Sequence, residues 1–296
     1  MKSGNRKPRP IPKGRTWAVT GACVRGASHI KNDLPCQDAL RIENIGAYRI
    51  IALSDGHGSA SCPYSDEGSQ AAVDAVYAIF GSIIMGKGDP YHTIAANKDI
   101  WLPKQIEQHW KSAVQTIHQN KEQGLNMPDF SHELYGATLL TLIAAEDFIF
   151  ALQLGDGDIL SIQIADGAGE ADGADGANQA DEAQQNNLQV DWVLPPSDTL
   201  GPETNSLCQE DCWQYMKTRI IPLAAGEKAP MFFLSTDGYA NSFSNDEGFK
   251  KAGADFYELW NNKGLMYIKD NLESWLIESS VQGSGDDITA ALVLGE

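Results

Sequence analysis

The chain has 296 residues, with 40 acidic against 22 basic side chains and a formal net charge of −18. That balance argues against nucleic acid or an anionic membrane as the main partner, since both require a cationic face. The length suits one large domain or two modest ones with a real core, and no apolar run of about 18 residues is present to form a transmembrane helix.

Residues 1–14 are basic and proline-rich and lack the apolar stretch of a secretory signal, so they are expected to form a flexible leader. A cytoplasmic protein is the default expectation, with residues 15–296 forming one domain. The five cysteines, at 23, 36, 62, 208 and 212, show neither zinc-site spacing nor an even count, and free thiols are the simpler reading.

Trp17 to Cys23 reads as a first strand. Residues 39–44 and 48–54 read as two strands joined by a short turn at Ile45–Ala47. Helical spacing follows over 66–84, from Ala71, Ala72, Ala75, Val76, Ile79, Phe80 and Ile83, and again over 101–120. Strands return at 137–145 and 148–154 around Glu146-Asp147, and a further pair is expected at 159–164 and 189–194. Between that pair lies a low-complexity insert, 166–187, with no aliphatic larger than alanine and no aromatic, expected to be a disordered surface loop. Two more apolar strands, 231–235 and 288–294, enclose a helical stretch over 255–280. Strands and helices come in blocks, which predicts an α+β fold with mainly antiparallel sheet.

One feature recurs along this order: an aspartate on a glycine bend at the end of an apolar strand. It appears as L-S-D-G-H-G (53–58), L-G-D-G-D (154–158), S-T-D-G (235–238) and S-G-D-D-I-T (284–289). A single such corner is usually a turn. Pairing gives the recurrence a direction. An antiparallel hairpin turning near 45–46 sets Asp38 almost opposite Asp55. The next hairpin delivers Asp156, and antiparallel pairing of the last two strands brings Asp237 and Asp286 to one end. Gathered carboxylates repel and resist desolvation. Hard cations such as Mg²⁺ or Mn²⁺ relieve that cost, and two of them together activate water against phosphorus. Gly56 would let its carbonyl approach a metal, and His57 would stand beside the cluster as a proton donor.

The ordered set Q-D-A (37–39), S-D-G-H-G (54–58), Y-G-A-T (135–138), L-G-D-G-D (154–158), S-T-D-G (235–238) and G-D-D-I-T (285–289) resembles the PP2C-type (PPM) metal-dependent serine/threonine protein phosphatases, bacterial branch. The resemblance implies a four-layer α-β-β-α sandwich with mainly antiparallel central sheets and a site for two Mg²⁺ or Mn²⁺ ions. By that resemblance Asp55 bridges both metals, Gly56 offers its carbonyl, Asp237 and Asp286 complete one metal site, and Asp38 serves the other through water. Asp156 matches the aspartate that helps hold a third, weaker metal in bacterial relatives. His57 matches the general acid. The implied partner is a phosphorylated protein, the product of a serine/threonine kinase, acted on by a monomer.

Two departures bear on substrate. His29 stands in roughly the position where the family commonly carries a phosphate-binding arginine, and the chain between about 165 and 222 lacks the usual flap sequence. The first leaves open a catalytically weak phosphoprotein-binding module, and a small-molecule phosphatase on the same fold is a further alternative. The G-x-x-x-x-G-K match at 81–87 ends a helix and lacks the following Ser or Thr, so no nucleotide loop is expected there.

Overall fold

The computed structural model describes residues 14–124, 127–165, 187–196 and 204–295. Among these residues ten strands form two five-stranded antiparallel sheets. One sheet runs β2 (Ala39–Ile45), β3 (Tyr48–Ser54), β4 (Leu139–Ala144), β5 (Phe148–Leu154), β8 (Lys217–Pro222). The other runs β1 (Trp17–Val24), β10 (Ile288–Gly295), β9 (Met231–Ser235), β6 (Asp158–Ile164), β7 (Leu188–Trp192). Helices α1 (Ala27–Lys31), α2 (Ser65–Met85), α3 (Pro90–Asn97) and α4 (Trp101–Glu122) precede β4. Helices α5 (Asp237–Ala240), α6 (Asp246–Lys263) and α7 (Leu265–Gln282) lie between β9 and β10.

Side-chain alternation explains the layers. On β3, Ile50 and Ala52 face a core shared with α2 and α4, while Ile51 and Leu53 face the other sheet. On β5, Phe150, Leu152 and Leu154 take the helix side and Ile149 and Ala151 the inter-sheet side. On β10, Ala291 and Val293 point between the sheets, whereas Ala290, Leu292 and Leu294 meet the core under α6 and α7. Three apolar layers therefore separate four layers of secondary structure, as expected for the α-β-β-α sandwich. Strands covered on both faces read as unbroken apolar runs, which is why β4 and β5 show little polar alternation.

Helix α2 is long and apolar enough, by length and composition, to cross a membrane. More than half of the qualifying stretch is buried, with Ala72, Val76 and Phe80 packed into the helix-side core. The 81–87 stretch falls on the last turn of this helix and its Gly86 cap, away from any strand end.

The helical stretch expected over 255–280 is present. It consists of two helices, α6 and α7, that meet at Gly264 with φ of +80°, a left-handed conformation that costs other residues strain. Asn245 starts α6 by accepting from the Gly248 N–H at 2.9 Å. Four elements were not anticipated from the sequence: α1, α3, the one-turn α5 and the edge strand β8. The expected leader falls outside the described residues except Gly14, and the expected insert except Asn187.

The registers bring the predicted corners to one rim. Ala39 pairs with Ser54, so Asp38 and Asp55 leave the ladder side by side. Leu139 pairs with Leu154, and Asp156 follows two residues later. In the facing sheet Asp158 and Ala290 both pair with Ser235, two residues before Asp237.

Candidate active site

The rim is built on short, backbone-held loops. Asp55 accepts the Thr138 N–H through its carbonyl at 2.8 Å, and its own N–H donates to Thr138 Oγ1 at 3.1 Å. Gly56 bridges to Ala137, and its N–H donates to the Gln37 carbonyl at 3.1 Å. A Cβ at position 56 would come within 2.6 Å of the backbone oxygens of Gln37 and Ser65, so only glycine fits. The His57 N–H donates to the Gly136 carbonyl at 3.0 Å. The Y-G-A-T segment therefore holds Asp55, Gly56 and His57 in place.

The carboxylates meet across the two sheets. Asp55 and Asp237 are near neighbours, and Asp38 and Asp286 are close enough to act on Asp55 electrostatically. Burial pushes Asp55 well above the ordinary carboxylate range, and the charges of Asp38, Asp237 and Asp286 push it further. Burial also raises Asp38 and Asp237. Asp156 adds to the field at Asp237, and its charge reaches His57, whose ring burial otherwise lowers in pKa. The sequence-predicted aspartates 38, 55, 156, 237 and 286 thus share one neighbourhood.

Asp38 Oδ2 accepts from Thr236 Oγ1 at 2.8 Å, while its buried Oδ1 has no hydrogen-bond partner among the described residues. Asp237 Oδ2 accepts from Asn241 Nδ2 at 2.9 Å, and its buried Oδ1 is likewise without a partner. Buried acceptor-only atoms without donors are costly. Among the described residues no three His, Cys, Asp or Glu side chains form a ready-made ligand group. Hard divalent ions do not require one, because they take backbone carbonyls and keep waters. The donor set is all oxygen, acidic and donor-poor, which fits Mg²⁺ or Mn²⁺.

His29 is 8% exposed and is tied down rather than free. Its Nδ1 lies 2.8 Å from Asp287 Oδ2 and 3.1 Å from the Pro35 carbonyl. Both neighbours are acceptors, so Nδ1 carries a proton. Its Nε2 lies 3.6 Å from Asp286 Oδ1, which places the ring at the edge of the acidic cluster.

Sequence reasoning missed the residues that aim the acids. Asp287, only 3% exposed, takes the N–H groups of Gly26 and Gln37, each at 2.6 Å, as well as the His29 ring. The adjacent D-D pair was visible as a turn or backbone cap; its reach to residues 26, 29 and 37 was not. Thr236 was visible only as the residue before D-G. Thr204, which donates to Asp156 Oδ2 at 2.5 Å, gave no signal. Asp158 accepts from the Trp192 indole at 2.9 Å; burial nonetheless raises its pKa to about 6.

Comparison with known proteins agrees with the fold. The chain is 25% identical over 150 residues to serine/threonine-protein phosphatase 3 of Escherichia coli K12, a match covering 49% of this chain and 53% of that protein. It thus spans about half the length of the curated relative it matches. The fold is similar to the catalytic domain of the serine threonine protein phosphatase PstP in complex with two manganese ions, with TM-score 0.54, 16% identity, and 95% and 99% of the two chains covered. It is also similar to RsbX in complex with magnesium, with TM-score 0.51, 16% identity, and 95% and 96% covered. The profile described as Protein phosphatase 2C matches residues 25–277. With that match covering most of the chain, eight of the ten strands and every predicted corner but those after 277, the chain belongs to the protein phosphatase 2C family.

Proposed function

We propose that this protein hydrolyses phosphoserine and phosphothreonine in proteins, at a rim that holds two Mg²⁺ or Mn²⁺ ions. The observation that carries the reading is the set of buried, donorless carboxylate oxygens on Asp38 and Asp237, gathered around Asp55. Bound divalent ions would supply Lewis-acid activation of water and neutralise phosphoryl charge. Asp55 and the Gly56 carbonyl would hold the ions, with Asp237 and Asp286 serving one, Asp38 the other and Asp156 a third and weaker one. His57 donates a proton to the leaving alkoxide, and His29 in its imidazolium form donates Nε2–H to the substrate phosphate while Asp287 holds the opposite ring nitrogen. The similarity to a named serine/threonine phosphatase supports phosphoproteins, the products of a serine/threonine kinase, as the substrate class.

A panel of phosphopeptides incubated with Mn²⁺, with and without chelator, tests the reading. Phosphate release that stops with chelator and returns with Mn²⁺ is expected. Undiminished turnover in chelator, or no release from any phosphopeptide or phosphoprotein at micromolar enzyme, would overturn it.

A second expectation concerns the insert. The hairpin of β6 and β7 is closed by the Ala165 N–H donating to the Asn187 carbonyl at 2.7 Å. The insert therefore leaves the hairpin at the end opposite Asp158, which is the end at the rim. Replacing 166–186 with a two-residue turn should leave kcat/KM within about twofold, since surface insertions cost little. A loss greater than about tenfold, measured on the same phosphopeptide, would show that the insert shapes the site.

A further inference from the structure

Two of the five cysteines lie together at the back of the rim. Cys23 is the penultimate residue of β1, opposite Thr289, and is exposed; Cys36 sits half-buried in the loop before β2. Their Sγ atoms are 3.7 Å apart. Both sulfurs also approach the Asp38 carbonyl, at 3.6 Å and 3.9 Å. A disulfide bond is about 2.05 Å long, so closure needs an approach of roughly 1.7 Å. None of the proposed chemistry uses either thiol.

We propose that Cys23 and Cys36 form a peroxide-oxidisable dithiol whose closure to a disulfide displaces Asp38 and weakens metal binding. The second half of this inference rests on the metal reading of the rim. The connection is covalent and short. Cys36 is followed by Gln37, whose N–H is bound to Asp287 and whose carbonyl holds the Gly56 N–H. Asp38 comes next, with one oxygen on Thr236 and the other donorless. Drawing Cys36 toward β1 therefore pulls on a segment that is fixed on its far side.

The chemistry balances with hydrogen peroxide as oxidant. The exposed Cys23 thiol takes one peroxide oxygen, giving a sulfenic acid and one water. The Cys36 sulfur then attacks the Cys23 sulfur, the S–O bond breaks, and the oxygen leaves as a second water. Two thiols are oxidised to one disulfide and one peroxide is reduced to two waters. A dithiol reductant reverses the change by exchange.

The test uses the full chain, reduced and then treated with peroxide, and reads two quantities. Tryptic mapping should find Thr16–Arg25 joined to Asn32–Arg41 through Cys23 and Cys36, before Cys62, Cys208 or Cys212 reacts. Calorimetric titration should show Mn²⁺ affinity about 10–100-fold weaker in the oxidised protein, the range typical when a ligand's supporting contacts are disturbed. Reductant should restore it. Cys23→Ser and Cys36→Ser should bind Mn²⁺ like the reduced parent, form no joined peptide and keep that affinity after peroxide. Absence of the joined peptide, with Cys23 over-oxidised beside a free Cys36 thiol, would overturn the proposal. Formation of the joined peptide with unchanged Mn²⁺ affinity would overturn the coupling to Asp38. If the reduced parent binds no Mn²⁺, the metal reading itself fails, a result separate from either outcome.

Discussion

Asp55→Asn should abolish Mn²⁺-dependent phosphopeptide hydrolysis while leaving the fold intact. Kinetics on purified protein should show kcat/KM lower by on the order of 10³-fold or more, equivalent to about 4 kcal/mol of transition-state stabilisation. The substitution is isosteric, so packing is preserved. The contacts that seat this residue are its backbone N–H and carbonyl with Thr138, and neither depends on the side chain. What is lost is the anionic ligand that stands between Asp38, Asp237 and Asp286. A neutral amide brings weaker donation to a hard cation and an N–H₂ that points hydrogens where a ligand should be. Asp237→Asn and Asp286→Asn should behave alike, because each removes charge from the same cluster. Circular dichroism and thermal melting serve as folding controls. Full turnover by all three variants in chelator-treated buffer would sink the assignment.

The positions of the acids were legible in the sequence because they depend on register. A hairpin with a short turn leaves little freedom, so the pairing of Ala39 with Ser54 could be anticipated, and Asp38 beside Asp55 followed. The same held for β9 and β10, whose apolar runs placed Asp237 and Asp286 together. Contacts that cross the fold were not legible. Thr236 reaches Asp38 over 198 residues, and Asp287 reaches Gln37 over 250. No periodicity reports such distances. Edge strand β8 reads K-T-R-I-I-P, half polar because one flank lacks a neighbour, and so gave a weak strand signal. The break at Gly264 was hidden because apolar spacing continues on both sides of it, and one glycine does not by itself end a helix. His29 was legible as a departure from the family pattern, but its environment was not. Only the fold shows that Asp287 accepts from its ring, so that Nε2 alone is left to face the rim.

The metal-free protein should lose stability as pH rises from about 4 toward neutrality, and Mn²⁺ should reverse the loss. The sign follows from proton counting. Asp38, Asp55 and Asp237 have an ordinary value of 3.8 and are raised in the fold, first of all by burial. Between 3.8 and the raised values the folded chain holds more protons than the unfolded chain. Stability therefore falls with pH throughout that window, by about 1.4 kcal/mol for each unit of upward shift. Among the histidines and carboxylates three groups act the other way. Burial lowers the His57 and His132 pKa values, and the Lys98 contact lowers that of Asp99. Burial also raises Asp158, to about 6, so four raised carboxylates oppose them, and the Asp99 contribution is already complete above pH 4. Mn²⁺ binds the ionised cluster, so saturating metal should remove the decline and add about 2.7 kcal/mol at a hundredfold excess over Kd. For a chain of this length that amounts to a rise of roughly 4–5 °C in Tm. Asp55→Asn should separate the terms. Without metal at pH 7.5 it should melt higher than the parent, because one repelling charge is gone, and with metal it should respond weakly or not at all. Melting curves from pH 5 to 8, with chelator and with Mn²⁺, test both halves. A chelated parent that grows more stable toward pH 8, or a variant that gains as much from Mn²⁺ as the parent does, would contradict the view that mutual repulsion among these acids is what the cations relieve.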